Sequence, residues 1–567
     1  MNDNRGSRRR ILSNKTYLYL TEFFSGMSLM AVELGASRLM APYFSSSQIV
    51  WTIIIGTIMI AMALGNIFGG RWADKDPNPD KLYRRIIIAA CWIALIPVLG
   101  KYVILGISGL LIFTVSHNLL VIAAFITCVV IFVFPLFLLG TVTPSLAAYT
   151  IENRSDSGKV VGRLGACNTI GSIIGTFLPT FVTIPSVGTA ITFLIFAGIL
   201  IVLCIIYFIS GRNDPKDPDQ ENTEGKDTKK PDTARIIAGI LVFIFCCAFG
   251  SSDSFAFWED DLTYEGESIY NYLQVKEDDS QVILSTNVLF GVQSLYQKNG
   301  ALTGMYYDTA MAAPMMAGIG GSEPFRILIL GNGSGTFATQ CMRYYGSYAG
   351  PIQIDAVEID QDITDLAEEF FHLSPDVNVV TYDGRAFLDS VDEKYHVIMV
   401  DAYQDITIPF QMASTEFFTL VKDHLYENGV MVVNLNMRGG GKNAMNTYLA
   451  DTISTCFSEV WTADVDWSFN RELFASNSPY MLDTFRKGYA AAKSASPAEA
   501  KELGAYLQSV DEKLQKYVPG NNVMTDDKAP VELLSMRAID EIIYDEVAYL
   551  KDIYKEKGIK GVIDALQ

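Results

Sequence analysis

Four short stretches in the second half of the chain carry residues able to hold a nucleoside and act on a charged group attached to it. In "RILILGNGSGTFATQ", Arg326 to Gln340, Gly331, Gly333 and Gly335 let the backbone turn sharply and approach a ligand closely. "VEID" puts Glu358 where a carboxylate can accept both hydroxyls of a ribose. "YDGRAF" offers Asp383 and Gly384 to the amino group and ring edge of an adenine, and "VDAYQD" puts Asp401 beside the expected reacting centre. Each alone also reads as a helix cap or a turn former. Their succession, each closing an apolar run, points to an adenosine-containing ligand.

The elements that must position these residues alternate. "FRILILGNGSG" reads as strand and loop, "TFATQCMRYY" as helix, and "QIDAVEID" as a strand ending in carboxylates. "QDITDLAEEFFHL" reads as helix, "VNVVTYDGRAFL" as strand and loop, and "YHVIMVDAY" and "GVMVVNLN" as further strands. Strands separated by helical patterns imply a parallel, doubly wound sheet, whose ligands sit outside the carboxyl ends of the strands. Before it, "IYNYLQVKE", "SQVILSTN" and "FGVQSLYQ" suggest a small antiparallel sheet. The fold class expected is a multi-span α-helical membrane domain plus an α/β Rossmann-like domain with a small β-sheet at its start.

The membrane part follows from texture. Of the 567 residues, 50% are hydrophobic and 19% charged, an average of two unlike halves. A bilayer-crossing helix needs about 20 mostly apolar residues. Candidates lie at 17–41, 50–70, 86–106, 119–147, 161–184, 189–210 and 235–253. Arg8, Arg9 and Arg10, and the basic loop "RWADKDPNPDKLYRR", put the amino terminus on the cytoplasmic side. A crossing at 235–253 carries the second half outside; a segment lying along the interface leaves it inside. Gly65/Gly69 and Gly171/Gly175 have a spacing that lets helices approach closely, and Glu33 and Arg38 are ionisable groups in the first span.

The divisions expected are therefore a membrane domain of about six helices at 1–210, a charged linker at 211–234 and a seventh membrane helix at 235–253. A β subdomain at 254–322, a nucleoside-binding domain at 323–490 and a helical extension at 491–567 follow. The net charge of −20 disfavours nucleic acid and suits cationic small molecules. The eight cysteines show no paired metal spacing, so no metal is expected. The tail leaves homo-oligomerisation open.

Residues 263–480 resemble the spermidine synthase family, the aminopropyltransferases, in the order "GVQS", "YYD", "GNGSG", "VEID", "DGRAF" and "DAY". The whole chain resembles its membrane-fused branch, in which a major-facilitator-like unit is joined to a spermidine synthase-like one. "AVELGASRLMAPYFSSSQIVW", "GNIFGGRWADK", "IPFQMASTEFF" and "VMTDDKAPVELL" carry that likeness.

The resemblance implies S-adenosylmethionine or its decarboxylated form as co-substrate, a small cationic amine as partner, and attachment to a lipid bilayer. Gln293 and the loop Gly331, Gly333, Ser334 and Gly335 would then meet the nucleoside or its sulfonium side chain. Glu358 would hold the ribose, and Asp383 with Gly384 the adenine. Tyr306, Tyr307, Asp308, Tyr403 and Gln404 would lie on the amine side, and Asp401 would position and deprotonate the attacking amine.

This sequence departs from the family at several places. The acid of the family's GGGDG loop is Ser334, and the second acid of its D-x-x-D is Gln404, with Asp405 one residue late. The family's YHE has Tyr307 and Asp308 at its last two positions. Three functions stay open. The first is aminopropyl transfer to a polyamine-like amine. The second is use of intact S-adenosylmethionine, by an amine methyltransferase or a sulfonium-splitting lyase. The third is a non-catalytic polyamine- or nucleoside-binding domain linked to a transporter-like unit.

Overall fold

The computed structural model describes residues 11, 14–44, 46–76, 78–112, 118–151, 157–210, 231–250, 254–259, 262–288, 292–402, 408–435, 444–466, 468 and 470–566. The chain forms two compact units, divided chiefly between Phe257 and Trp258. The 211–230 part of the linker and Arg8, Arg9 and Arg10 lie outside the described residues.

The first unit is helical: α1 (Lys15–Phe44), α2 (Gln48–Lys75), α3 (Pro79–Ile112), α4 (Leu119–Thr150), α5 (Ser157–Leu178), α6 (Ile184–Ile209) and α7 (Pro231–Phe249). Among the described residues, four helical stretches are long and apolar enough to cross a membrane: Gln48–Lys75, Pro79–Leu111, Leu119–Thr150 and Ser157–Ile209. The last is interrupted by Gly188, at φ 78° and ψ 171°, a conformation that only glycine adopts at low cost. The apolar part of α7, Ile236–Phe249, is shorter than a full crossing and ends before the 235–253 segment does.

Glycines set the spacing between these helices. A Cβ on Gly171 or Gly175 of α5 would sit 2.0 Å from the carbonyl oxygen of Phe23 or 2.1 Å from that of Met27, both on α1. On α2, a Cβ on Gly65 would lie 2.3 Å from the Phe137 carbonyl oxygen, and one on Gly69 2.7 Å from Thr141 Cα. Backbones this close gain dispersion contacts that larger residues would block. Glu22 is a fully buried acid of this bundle, one that the sequence reading passed over in favour of Glu33 and Arg38.

The second unit holds two sheets. β1 (Leu262–Glu267), β2 (Tyr272–Glu277), β3 (Gln281–Ser285) and β4 (Ser294–Gln297) form an antiparallel sheet in that order. The larger sheet has the order β12-β10-β11-β9-β8-β5-β6-β7. Its strands are β5 (Phe325–Leu330), β6 (Ile352–Glu358), β7 (Val377–Thr381), β8 (Tyr395–Val400), β9 (Leu425–Leu435), β10 (Glu459–Asp464), β11 (Arg471–Ser476) and β12 (Gln515–Lys516). β5 to β9 pair in parallel, and β9 to β12 are antiparallel.

Both faces of the sheet are covered. Ile327 and Ile329 of β5 pack with Phe337, Cys341 and Tyr345 on one face, and Leu328 and Leu330 with Phe417, Phe418 and Leu388 on the other. That alternation within one continuous apolar strand is how a parallel sheet buried on both sides reads in sequence. The chain leaves β5 for β6 and β7 on one side, then returns for β8 on the other. The crevice between the ends of β5 and β8 is thus the point at which strand order reverses.

The carboxyl-terminal segment is not a separate extension from residue 491. Ala500, Leu503, Leu507 and Val510 of the helix Ala498–Lys513 are buried, the last three in the main core, and β12 completes the sheet. A long helix, Val531–Leu566, broken at Gly558, follows.

Candidate active site

The glycine loop after β5 is built around backbone close approach. Gly331 has φ 89°, and a Cβ there would meet the Asp401 carbonyl oxygen and Ala402 Cα, each at 2.6 Å. Gly333 (φ 52°) and Gly335 (φ 77°) also take the left-handed conformation, and Gly335 opens the helix Thr336–Gly346. The loop is fastened to the next strand: Gly333 N–H donates to Glu358 Oε2 at 2.8 Å, and Asp360 N–H to Glu358 Oε1 at 3.2 Å. Burial lifts the Glu358 pKa to about 6, even though these backbone donors hold it down.

Asp401 stands one residue beyond β8, its backbone N–H donating to the Leu330 carbonyl at 2.9 Å. The Tyr306 hydroxyl donates to Asp401 Oδ2 at 2.5 Å, and Asn434 Nδ2 donates to Oδ1 at 3.1 Å. Asn470 Nδ2 in turn donates to Asn434 Oδ1 at 3.1 Å, which fixes the amide orientation. Burial pushes the Asp401 pKa up to about 7 against those two donors, and the Glu358 charge adds to the rise.

A second carboxylate joins this face from β11. Glu472 is fully buried, and neither of its oxygens has a hydrogen-bond partner among the described residues. It pairs across the strands with Asn434 of β9. Directly opposed residues of an antiparallel pair share a face. Glu472 therefore projects to the side from which Asn434 reaches Asp401. Burial drives its pKa well up, and the Asp401 charge raises it further. The Tyr506 hydroxyl is 3.0 Å from Thr309 Oγ1, and burial raises its pKa to about 12.

The residues singled out from sequence fall into distinct settings. Tyr306, Gly331, Gly333, Glu358 and Asp401 converge on the crevice. Asp383 and Gly384 follow the neighbouring strand β7, where Asp383 Oδ1 caps the helix Gly384–Ser390 by accepting from Ala386 N–H at 2.8 Å. Gln293 is linked to the site through its backbone, since the Tyr307 hydroxyl donates to its carbonyl at 2.6 Å. Tyr307 also packs on Tyr306, with ring centroids 4.0 Å apart.

Two further expected residues are tied into the fold. Asp308 is held by donors of its own unit. It is fully buried and accepts from Thr303 N–H and Oγ1 at 3.1 and 3.0 Å, Gly304 N–H at 2.6 Å and Gln340 Nε2 at 2.6 Å. Ser334 is likewise buried, with its hydroxyl 3.3 Å from that of Thr336 and its N–H donating to Ser294 Oγ at 3.1 Å. Tyr403, Gln404 and Asp405 lie outside the described residues. Sequence reasoning missed Asn434, Asn470 and Glu472. The one available signal for the last was an isolated acid inside the apolar run "RELFAS".

Two family models match different parts of the chain. A spermine/spermidine synthase domain is matched over residues 306–462, and the Major Facilitator Superfamily over 16–273. A probable polyamine aminopropyl transferase of Bifidobacterium longum is 48% identical over 343 residues, 58% of this chain and 75% of that protein. The polyamine aminopropyltransferase of Vibrio vulnificus is 28% identical over 203 residues, 34% of this chain and 65% of its own length. Among solved structures, the spermidine synthase of Thermotoga maritima aligns at 18% identity with a TM-score of 0.34, covering 43% of this chain and 88% of that one.

Proposed function

The chain belongs to the polyamine aminopropyltransferase family, with a major-facilitator-like membrane domain joined to a spermidine synthase-like one, and we propose that it transfers an aminopropyl group from decarboxylated S-adenosylmethionine to a diamine or polyamine held at Asp401. One observation carries the choice of substrates. Asp401, Glu472 and Glu358 gather acid around the crevice, and among the described residues no Lys or Arg pairs with any of them. Such a site attracts a sulfonium and an ammonium and repels the extra carboxylate of intact S-adenosylmethionine.

The chain's residues divide the work. The Gly331–Gly335 loop, Glu358, Asp383 and Gly384 hold the nucleoside, with Gln293 beside them. Tyr306 and Asn434 hold Asp401 so that it pairs with the ammonium and accepts its proton. A carboxylate poised near pKa 7 suits that exchange at neutral pH. The freed amine lone pair attacks the carbon next to sulfur. The new C–N bond forms as the C–S bond breaks, both electrons of the latter leave with sulfur, and methylthioadenosine departs. The sulfonium is an activated leaving group, so positioning supplies most of the remaining rate.

Glu472 takes the part of the acid that Gln404 replaces, pairing with the distal ammonium of the acceptor. Ser334 is buried with its hydroxyl turned toward that of Thr336, which supports a donor without a carboxylate to receive. The membrane unit anchors the enzyme in the cell membrane, and the basic residues before its first helix favour a cytoplasmic amino terminus.

Product analysis by mass spectrometry tests the reading. The purified, detergent-solubilised protein would receive decarboxylated or intact S-adenosylmethionine, with and without 1,4-diaminobutane, alongside Asp401→Asn. Methylthioadenosine and an aminopropylated amine, formed only from the decarboxylated donor and lost in Asp401→Asn, are the expected products. Turnover of the intact donor alone, or of neither, would overturn the assignment.

A further inference from the structure

The helical unit contains a second place where a buried acid is left with an open oxygen. Between α1, α2, α4 and α5 lies a cavity of about 230 Å³ whose polar lining is Ser25, Asn66, Thr143, Asn168 and Thr169. Leucine and methionine side chains complete its wall, and among the described residues no Lys or Arg lines it. At roughly 30 Å³ per liquid water, the space matches about seven waters, ample for a short alkylamine. The glycine contacts described above frame it. Gly171 and Gly175 lock α5 to α1, and Gly65 and Gly69 lock α2 to α4, so the cavity lies between two tightly packed helix pairs.

Glu22 lies behind the wall of this space rather than in it. It is fully buried and one turn from Ser25 on α1. Thr143 Oγ1 donates to Glu22 Oε1 at 2.5 Å and Asn168 Nδ2 donates to the same oxygen at 2.8 Å. Both donors line the cavity. Glu22 Oε2 and Ser25 Oγ have no partner among the described residues. The acid is thus gripped by one oxygen while the other, and a neighbouring hydroxyl, stay unsatisfied. A buried carboxylate between apolar helices is costly unless a cation or proton neutralises it, and such groups mark ligand paths.

We propose that this cavity binds a small organic cation, an alkylammonium whose head pairs with Glu22 and is completed by Ser25, and whose methylenes lie against the apolar wall. The site is separate from the one at Asp401 and needs no transfer chemistry. It gives the membrane unit a ligand of its own, chemically akin to the amine that the acidic crevice of the other unit attracts.

Equilibrium binding of radiolabelled 1,4-diaminobutane to the full-length protein in neutral-lipid nanodiscs tests this, with wild type, Glu22→Gln, Asp401→Asn and the double variant compared. Wild type should bind at two sites per chain. Glu22→Gln should weaken one of them by roughly 10-fold to 100-fold, the range of a lost charged hydrogen bond, and leave transferase turnover unchanged. Asp401→Asn should weaken the other. A response to Asp401→Asn alone overturns this proposal, and a response to Glu22→Gln alone upholds it while counting against the amine site at Asp401. Should Glu22→Gln fail to fold, Ser25→Leu decides, because it fills the cavity and breaks no hydrogen bond. Wild-type binding in both Glu22→Gln and Ser25→Leu, or no binding by the wild type, would sink the idea.

Discussion

Asp308 and Glu472 lie in the same unit, both wholly buried, yet their surroundings are opposite. Asp308 accepts hydrogen bonds from Thr303, Gly304 and Gln340, so its charge is spent on closing the turn that leads into the helix carrying Tyr306. Glu472 receives none. An acid that builds structure is saturated by it, whereas an acid kept for a cationic ligand must be left hungry. The second arrangement costs stability, since a buried carboxyl without hydrogen-bond partners costs more than its removal. Stability is given up at the site where binding recovers it.

The contrast can be broken by substitution, starting with the largest effect. Asp401→Asn should lower turnover by roughly 10²-fold to 10⁴-fold, the usual share of a positioned acid–base group, in a steady-state assay with saturating donor and amine. The pH profile sharpens this. kcat/KM should climb with pH through the region near 7, where Asp401 ionises, and Asp401→Asn should lose that limb. The stability slope runs the other way. Because the folded pKa of about 7 exceeds the unfolded value of about 3.9, the folded state holds the proton longer, and stability falls as pH rises between them. Denaturant titrations at several pH values should find that slope reduced in Asp401→Asn. A profile unchanged by the substitution would remove Asp401 from the chemistry.

The two contrasted acids come next. Asp308→Ala strands four donor contacts and should cost about 3 kcal/mol in denaturant unfolding, while KM for the amine, measured well below the transition, stays near wild type. Glu472→Gln should do the reverse: KM for a diamine rises roughly 10-fold to 100-fold and the melting temperature goes up. A lower melting temperature with unchanged KM would make Glu472 structural and erase the distinction. The smallest effect belongs to an acid at the surface. Asp526 forms a two-pronged pair with Arg385 at 2.7 Å, and the pair, chiefly through that hydrogen bond, holds its pKa down to about 2. With the carboxylate 38% exposed, solvent screens the pair, so Asp526→Asn should cost below about 1 kcal/mol at neutral pH. A depressed carboxylate pKa stabilises above the unfolded value, and that small gain is lost as pH falls from about 4 toward about 2.

The sequence could be read where chemistry sits at the end of a strand. Gly331, Glu358, Asp383 and Asp401 each close an apolar run, and the period-two burial of β5 accounts for why such runs are strands. Glu472 was hidden because its meaning depends on pairing. Only the return of the chain through the β10–β11 hairpin sets it opposite Asn434, and only Asn434 links it to Asp401. The surroundings of Asp308 were hidden for the converse reason, since a motif names a carboxylate but not the donors that bind it. Ser334 sits in a glycine loop whose sequence does not say which side chain turns inward. Glu22 was overlooked because the partners that single it out, Thr143 and Asn168, come from helices more than a hundred residues away.

The contact of Gly331 with the backbone of Asp401 has an evolutionary consequence. The loop proposed to receive the donor and the segment proposed to present the base touch without a side chain between them, so neither can shift alone. A change of donor specificity made by reshaping this loop would drag the base out of line. Innovation in substrate is therefore steered to positions that leave this junction untouched, such as the β11 acid, and the catalytic geometry is inherited as one piece.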